Sequence, residues 1–142
     1  MTIDSMPSLQ DLQSDCAFGA YYLPVRQSTA YRRRAIFDEA LAVIDRQYAD
    51  EALSLPVVAR AIATSRRQLQ RVLAEHGTSF RRELQDIRMA RAAALLREGE
   101  LSVSTVAREV GYRHPAQFSK AFRRHHGLPP SELRATTECV AA

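Results

Sequence analysis

The chain has 142 residues, 46% of them hydrophobic and 25% charged, enough apolar material for the core of one domain or of a tight pair of subdomains. No apolar run reaches the roughly 18 residues that span a bilayer, and the N-terminus lacks the basic start and apolar stretch of a secretion signal, so a cytoplasmic protein with no membrane partner is expected. The 20 Lys and Arg against 16 Asp and Glu give +4, unevenly placed: residues 1–30 carry Arg26 against Asp4, Asp11 and Asp15, net −2, which leaves +6 on residues 31–142.

A basic body behind an acidic leader points to a polyanion, either nucleic acid or an anionic surface. All the cations but Lys120 are Arg, whose planar fork suits phosphate and guanine, although an Arg-rich genome produces the same bias. Cys16 and Cys139 stand near opposite ends without CxxC or metal-ligand spacing and read as free thiols, with a disulfide between the two ends as the alternative.

Residues 1–29 mix Ser, Asp, Gln and Pro around one apolar patch, "CAFGAYYLPV" (Cys16 to Val25), with no helical period, and read as a partly ordered N-terminal arm. Packing on the first helix, a homodimer contact and disorder all remain open for that patch. From Ala30 the pattern changes: Phe37, Leu41, Ile44 and Tyr48 recur at helical steps. Ser54 is placed to cap a short helix with Pro56 in its first turn and Val58, Ala61 and Ile62 inward. Ser65 and Gln68 form a capping box ahead of a helix with Leu69, Val72 and Leu73 as its apolar stripe and Gly77 as its stop.

Ser79 then caps a long helix ending at Gly99, with Phe80, Leu84, Ile87, Arg91 and Leu95 on one face and strong helix formers in "ARAAALL". Ser102 opens another short helix with Val103, Val106 and Val110 inward. A basic helix follows in "HPAQFSKAFRRHHG", and a short turn of helix after Pro130. No strand pattern appears. The predicted fold is all-α, seven helices forming two helix-turn-helix subdomains (30–78 and 100–135) joined by a long linker helix (79–99), with a flexible tail at 136–142.

The two subdomains repeat. Ala59-x3-Ala63 and Ala107-x3-Gly111 lie 48 residues apart, Val58 and Ile62 match Val106 and Val110, and Leu69-x3-Leu73 matches Phe118-x3-Phe122 one residue out of step. A short helix with a small central residue, a turn at Gly or Ala and a second helix with apolar residues at i, i+4 is the helix-turn-helix pattern. Gly111 takes a left-handed turn freely, whereas Ala63 there costs about 1 kcal/mol. At about 100° per residue, Ala116, Lys120 and Arg123 fall opposite Phe118 and Phe122, and Arg67, Gln70 and Arg71 fall opposite Leu69 and Leu73. The linker helix from Phe80 to Glu98 measures about 28 Å, close to the ~34 Å of one DNA turn, so a monomer could read two successive major grooves.

At these residues the chain resembles the DNA-binding domain of AraC/XylS-type transcription regulators: "VAREVGYRHPAQFSKAFRRHHGLPPSELR" is similar to that family's second unit, and "SRRQLQRVLAEHGTSFRRELQDIRMARAAALL" to its first recognition helix and linker. The resemblance spans about residues 34–134. It implies base reading by Arg67, Gln70 and Arg71 in the first unit and by Ala116, Ser119 and Lys120, with Arg123 beside them, in the second. Phosphate candidates are Arg66, Arg113 and Arg124 and the helix starts at Ser54 and Ser102. For each of these cations the alternative is an ordinary solvated helix face. Ala63 departs from the family's usual Gly, His126 from an apolar or aromatic residue, and Leu133 from a common aromatic.

With about 30 residues ahead of the first helix, the chain is similar to the family's small stand-alone members, although a fragment of a larger regulator would look the same. The resemblance implies double-stranded DNA as partner, a monomer on DNA, and activation by recruiting RNA polymerase. No enzymatic role, metal or cofactor is expected. The helical wheel turns His125 inward and leaves His114 and His126 at helix ends, and the leader has one Cys where the methyl-accepting DNA-repair proteins that share this domain need a thiol cluster. A different class of function, an adaptor docking on polymerase or another regulator without specific DNA binding, is the alternative; steep salt dependence separates the two.

Overall fold

A computed structural model describes the backbone of residues 17–140 and the side chains of residues 29–136. The readings placed on Cys16, Cys139 and the side chains of the Cys16–Val25 patch fall outside the described residues. The described backbone forms seven helices: α1 (Ala17–Gln47), α2 (Leu55–Ala61), α3 (Arg66–Glu75), α4 (Phe80–Glu98), α5 (Val103–Glu109), α6 (Pro115–His126) and α7 (Pro130–Val140). The chain divides into residues 1–35 and residues 36–142.

In the first of these units the helix starts at Ala17 rather than near Ala30, so residues 17–29 of the expected partly ordered arm are helical backbone. Phe18, Tyr21, Tyr22 and Val25 do stand at helical steps, but Gly19 and Pro24 among them read as helix breakers, and the described side chains from Thr29 to Arg34 are exposed. The C-terminus is also longer in helix than expected: α7 continues to Val140, where only a turn of helix and a flexible tail were expected. It lies along α4, and Arg134 Nη2 donates to the Gly99 carbonyl at 3.3 Å, satisfying one of the C-terminal carbonyls of that helix.

Residues 36–142 build two cores. Ile36, Ala40, Val43 and Ile44 of α1 meet Val58 and Ala59 of α2, Leu69, Val72 and Leu73 of α3, and Leu84 of α4 in the first. The buried face of α1 is thus turned slightly from the predicted one, with Phe37 and Tyr48 at its edge. Ala61, expected inward, is exposed; Ala59 takes the buried place. In the second core Val106, Ala107 and Val110 of α5 meet Phe118 and Phe122 of α6 and a different stretch of α4: Met89, Ala92, Ala93 and Leu96. The linker helix therefore has no single apolar face. Arg91, predicted inward, is exposed and pairs with Asp45 at 3.0 Å.

The caps match the predicted starts. Ser65, Ser79 and Ser102 accept from the backbone N–H groups of Gln68, Arg82 and Thr105, while Ser54 sits at its N-cap position without a side-chain bond. The repeat is equally clear in the turns. Thr64 N donates to the Ala59 carbonyl at 2.9 Å and Ala63 N to that of Arg60 at 3.1 Å; Tyr112 N donates to Ala107 at 2.8 Å and Gly111 N to Arg108 at 3.0 Å. Both are Schellman turns, and each needs a left-handed residue at its centre. Ala63 holds φ 51 and Gly111 φ 82, so the strain predicted for the first unit is present.

The two turns differ in what surrounds them. A Cβ on Gly111 would lie 2.7 Å from Arg88 Nη2 and 2.9 Å from the carbonyl oxygens of both Tyr48 and Ala49. Gly111→Ala is expected to cost about 2 to 4 kcal/mol in urea unfolding, combining left-handed strain with overpacking. Ala63→Gly should be neutral or stabilise by up to about 1 kcal/mol, because relieved strain is partly offset by unfolded-chain entropy.

Candidate nucleic-acid interface

The second helix of each unit, α3 or α6, is held from behind. In α3, Leu69, Val72 and Leu73 are fully buried, and the helix end is fixed by His76, whose ring stacks on Phe37 with centroids 3.9 Å apart and bonds through Nδ1 to the Val72 carbonyl at 2.9 Å. The opposite face presents Arg66, Arg67, Gln70 and Arg71 to solvent. In α6, Phe118 and Phe122 are 0% exposed and pack with centroids 5.6 Å apart, while Tyr112 meets Phe118 edge-on. Ala116, Lys120, Arg123 and Arg124 are exposed on the far side, and Ser119 is half-buried.

The histidines run opposite to the wheel's expectation. His126 faces the core: its ring lies 4.4 Å from that of Phe122, and Nε2 bonds to the Met89 carbonyl of α4 at 3.1 Å. His125 is the more exposed and meets Asp86 of α4 at 3.1 Å. The wheel ignores α4, whose Met89 carbonyl and Asp86 carboxylate select which ring turns where.

A joint between the subdomains sits at Arg88. This half-buried side chain of α4 donates from Nε to the Tyr48 carbonyl at 2.8 Å, capping the end of α1, and from Nη2 to the Asp50 carbonyl at 2.9 Å in the turn that follows. Its guanidinium carbon lies 5.5 Å from the centroid of the Tyr112 ring, in the turn of the second unit. Burial lowers the pKa of Arg88, opposed by Tyr112, Asp50 and Glu51; burial also raises that of the Tyr112 phenol. An arginine starts so high that it stays charged. Nearby, Arg113 Nε contacts Glu51 at 3.0 Å, which puts this phosphate candidate at the joint with one edge of its fork already engaged. Tyr48 touches both cores.

Sequence reasoning did not single out Arg88, nor Arg81 and Gln85 on the same side of α4. An Arg within a helix surface pattern carries no local mark of a carbonyl 40 residues away.

The comparisons agree with this architecture. A family described as "Helix-turn-helix domain" matches residues 58–136, which takes in α3 to α6 and most of both units. The chain belongs to the AraC/XylS family of transcription regulators. It is 34% identical over 114 residues to the HTH-type transcriptional regulator GlxA of Rhizobium meliloti, covering 78% of this chain and 35% of that protein. Among the first curated relatives, the chain spans from 19% to 35% of their length.

Its fold is similar to the C-terminal domain of AraT, a response regulator from Geobacillus stearothermophilus, with TM-score 0.67 and 35% identity over 71% of this chain and 84% of that one. It is also similar to the DNA-binding domain of AdpA, determined in complex with a target DNA, with TM-score 0.65 and 26% identity over 72% of this chain and 92% of that one. No described helix is long and apolar enough to cross a membrane.

Against the AraC/XylS pattern, two of the three departures find local compensation, while Ala63 keeps its left-handed strain. His126 packs its ring against Phe122 as an aromatic would and adds a hydrogen bond; Leu133 packs half-buried against the second core. Arg88→Met should lower the unfolding free energy by about 2 to 4 kcal/mol, because two carbonyls lose a charged donor. Arg113→Gln, which breaks only an exposed pair, should stay within about 1 kcal/mol. Urea titrations of the two variants compare them directly.

Proposed function

We propose that the chain is a sequence-specific reader of double-stranded DNA that places α3 and α6 in successive major grooves as a monomer and activates transcription by recruiting RNA polymerase. The observation that carries it is the duplicated unit itself: two Schellman turns, each followed by a helix whose core side is locked and whose far side is polar or cationic. Family membership and the AdpA complex with DNA support the same reading.

Arg67 and Arg71 are assigned to guanine O6 and N7, and Gln70 to adenine N6 and N7. Ala116 offers only contact with a thymine methyl, so the second unit reads fewer bases, through Ser119, Lys120 and Arg123. Arg66 and Arg124 are assigned to phosphates, as are the backbone N–H groups at the starts of α2 and α5, beside Ser54 and Ser102.

Selection from random duplexes, with the winner's affinity followed from about 50 to 200 mM salt, tests the reading. A bipartite site with blocks about 10 to 11 base pairs apart and steep salt dependence is expected. No enriched site, or affinity indifferent to salt, would point instead to the adaptor. Arg71→Ala should relax preference at one or two positions at a cost of about 1 to 3 kcal/mol, measured by competition between the selected site and its single-base variants; an unchanged preferred site would remove α3 from base reading.

A further inference from the structure

Between α4 and α6 lies a cleft of about 540 Å³, open to solvent on one side. Arg81, Gln85 and Arg88 line it from α4, and Gln117, Lys120 and Arg124 from α6, with no Asp or Glu in the lining. The spacing is regular: four and three residues along α4, three and four along α6, so two helical stripes face each other. Of the nearby acids, Asp86 on α4 pairs with His125 and Arg82, and Asp50 and Glu51 act on Arg88 without lining the cleft. Arg88 is tied down by two backbone carbonyls and acts as a fixed charge in the floor. Arg81 at the rim is exposed.

Position identifies the anion. Lys120 and Arg124 also border a second groove with Ser119, Arg123 and Pro129, so they stand on the ridge of α6 between two hollows. On the wheel of α6, Gln117 and Arg124 flank the ridge of Ala116, Lys120 and Arg123 on the side of the cleft. A helix in the major groove has a sugar-phosphate wall on either side. The wall on the α4 side falls over the cleft, and because α4 runs from one recognition unit to the other, that wall belongs to the duplex between the two half-sites.

We infer that this cleft seats backbone phosphates of the DNA between the two half-sites, held by Arg81 and Arg124 with Gln85 and Gln117 as neutral donors. The inference rests on the DNA-reading proposal and adds to it a linker helix that binds DNA rather than only spacing the readers. Contact there is blind to sequence and fixes the register of both recognition helices at once.

The test uses the full chain and its selected duplex. Arg81→Gln should weaken binding about 3- to 10-fold at 100 mM salt, alike on selected and unrelated duplexes, and reduce the salt slope by about 0.9 for each phosphate it no longer neutralises. Arg124→Gln should do the same, and unchanged melting temperatures of both variants would show that neither acts through folding. Uncharged methylphosphonates placed between the two blocks should weaken the wild type but add little to the loss in Arg81→Gln. Penalties that simply multiply, or wild-type affinity and slope in Arg81→Gln, would overturn the cleft assignment while leaving DNA reading intact. Inorganic phosphate that raises the melting temperature only when Arg81 is present, with DNA binding unaffected by the substitution, would assign the cleft to a free anion and also overturn it. A wild type that binds no duplex would take the DNA reading and the cleft down together.

Discussion

One half-buried guanidinium holds the arrangement of the two units. Arg88 leaves the middle of α4, satisfies carbonyls at the end of α1 and in the turn that follows, and lies against Tyr112 in the turn of the second unit. A cation at a helix C-terminus is favoured by the exposed carbonyls there, and a partly buried site strengthens each bond. The close approach also fixes the chemistry of its neighbour: with Arg88 Nη2 and two carbonyl oxygens around it, position 111 has no room for a side chain. Gly111 therefore serves two demands, a left-handed turn and a close contact, whereas Ala63 meets only the first and can carry a methyl at modest cost.

Around this joint, α4 divides its labour. Its N-terminal half gives Leu84 to the first core, and its C-terminal half gives Met89, Ala92, Ala93 and Leu96 to the second. Small Ala residues let α5 and α6 approach closely, and His126 and Leu133 close the edges of that core. Neither core is large enough to be strongly stable alone, so a shared helix makes each unit's folding support the other's. In a DNA reader this coupling matters because charge supplies affinity while a fixed spacing supplies register, and a loose pair of units would lose the second.

Most of the candidate site was legible because an amphipathic helix is a local object. The stripe of Leu69, Val72 and Leu73 or of Phe118 and Phe122 fixes which way a helix faces, and the residues opposite follow from helical geometry. The Ser caps and the left-handed turns are local too, written in one or two residue types. The exceptions had partners far along the chain. The orientations of His125 and His126, the outward turn of Arg91 and the buried use of Arg88 all depend on groups from 37 to 46 residues away.

By itself the sequence determined the seven helices, their caps, the repeat at 48 residues and the family, because each is a matter of period, spacing or a single residue's backbone preference. Only the tertiary structure decided how the ends were used and how the units meet. Helix at residues 17–29 runs through Gly19 and Pro24, which read as breakers in isolation, and α7 outlasts the apolar residues that announced its start. The α4 helix looked one-faced in sequence because two half-length stripes, each aimed at a different core, overlap into one blurred pattern on a wheel. The Arg88 joint and the cationic cleft beside it arise where separate stretches of chain converge, and no local pattern encodes that convergence.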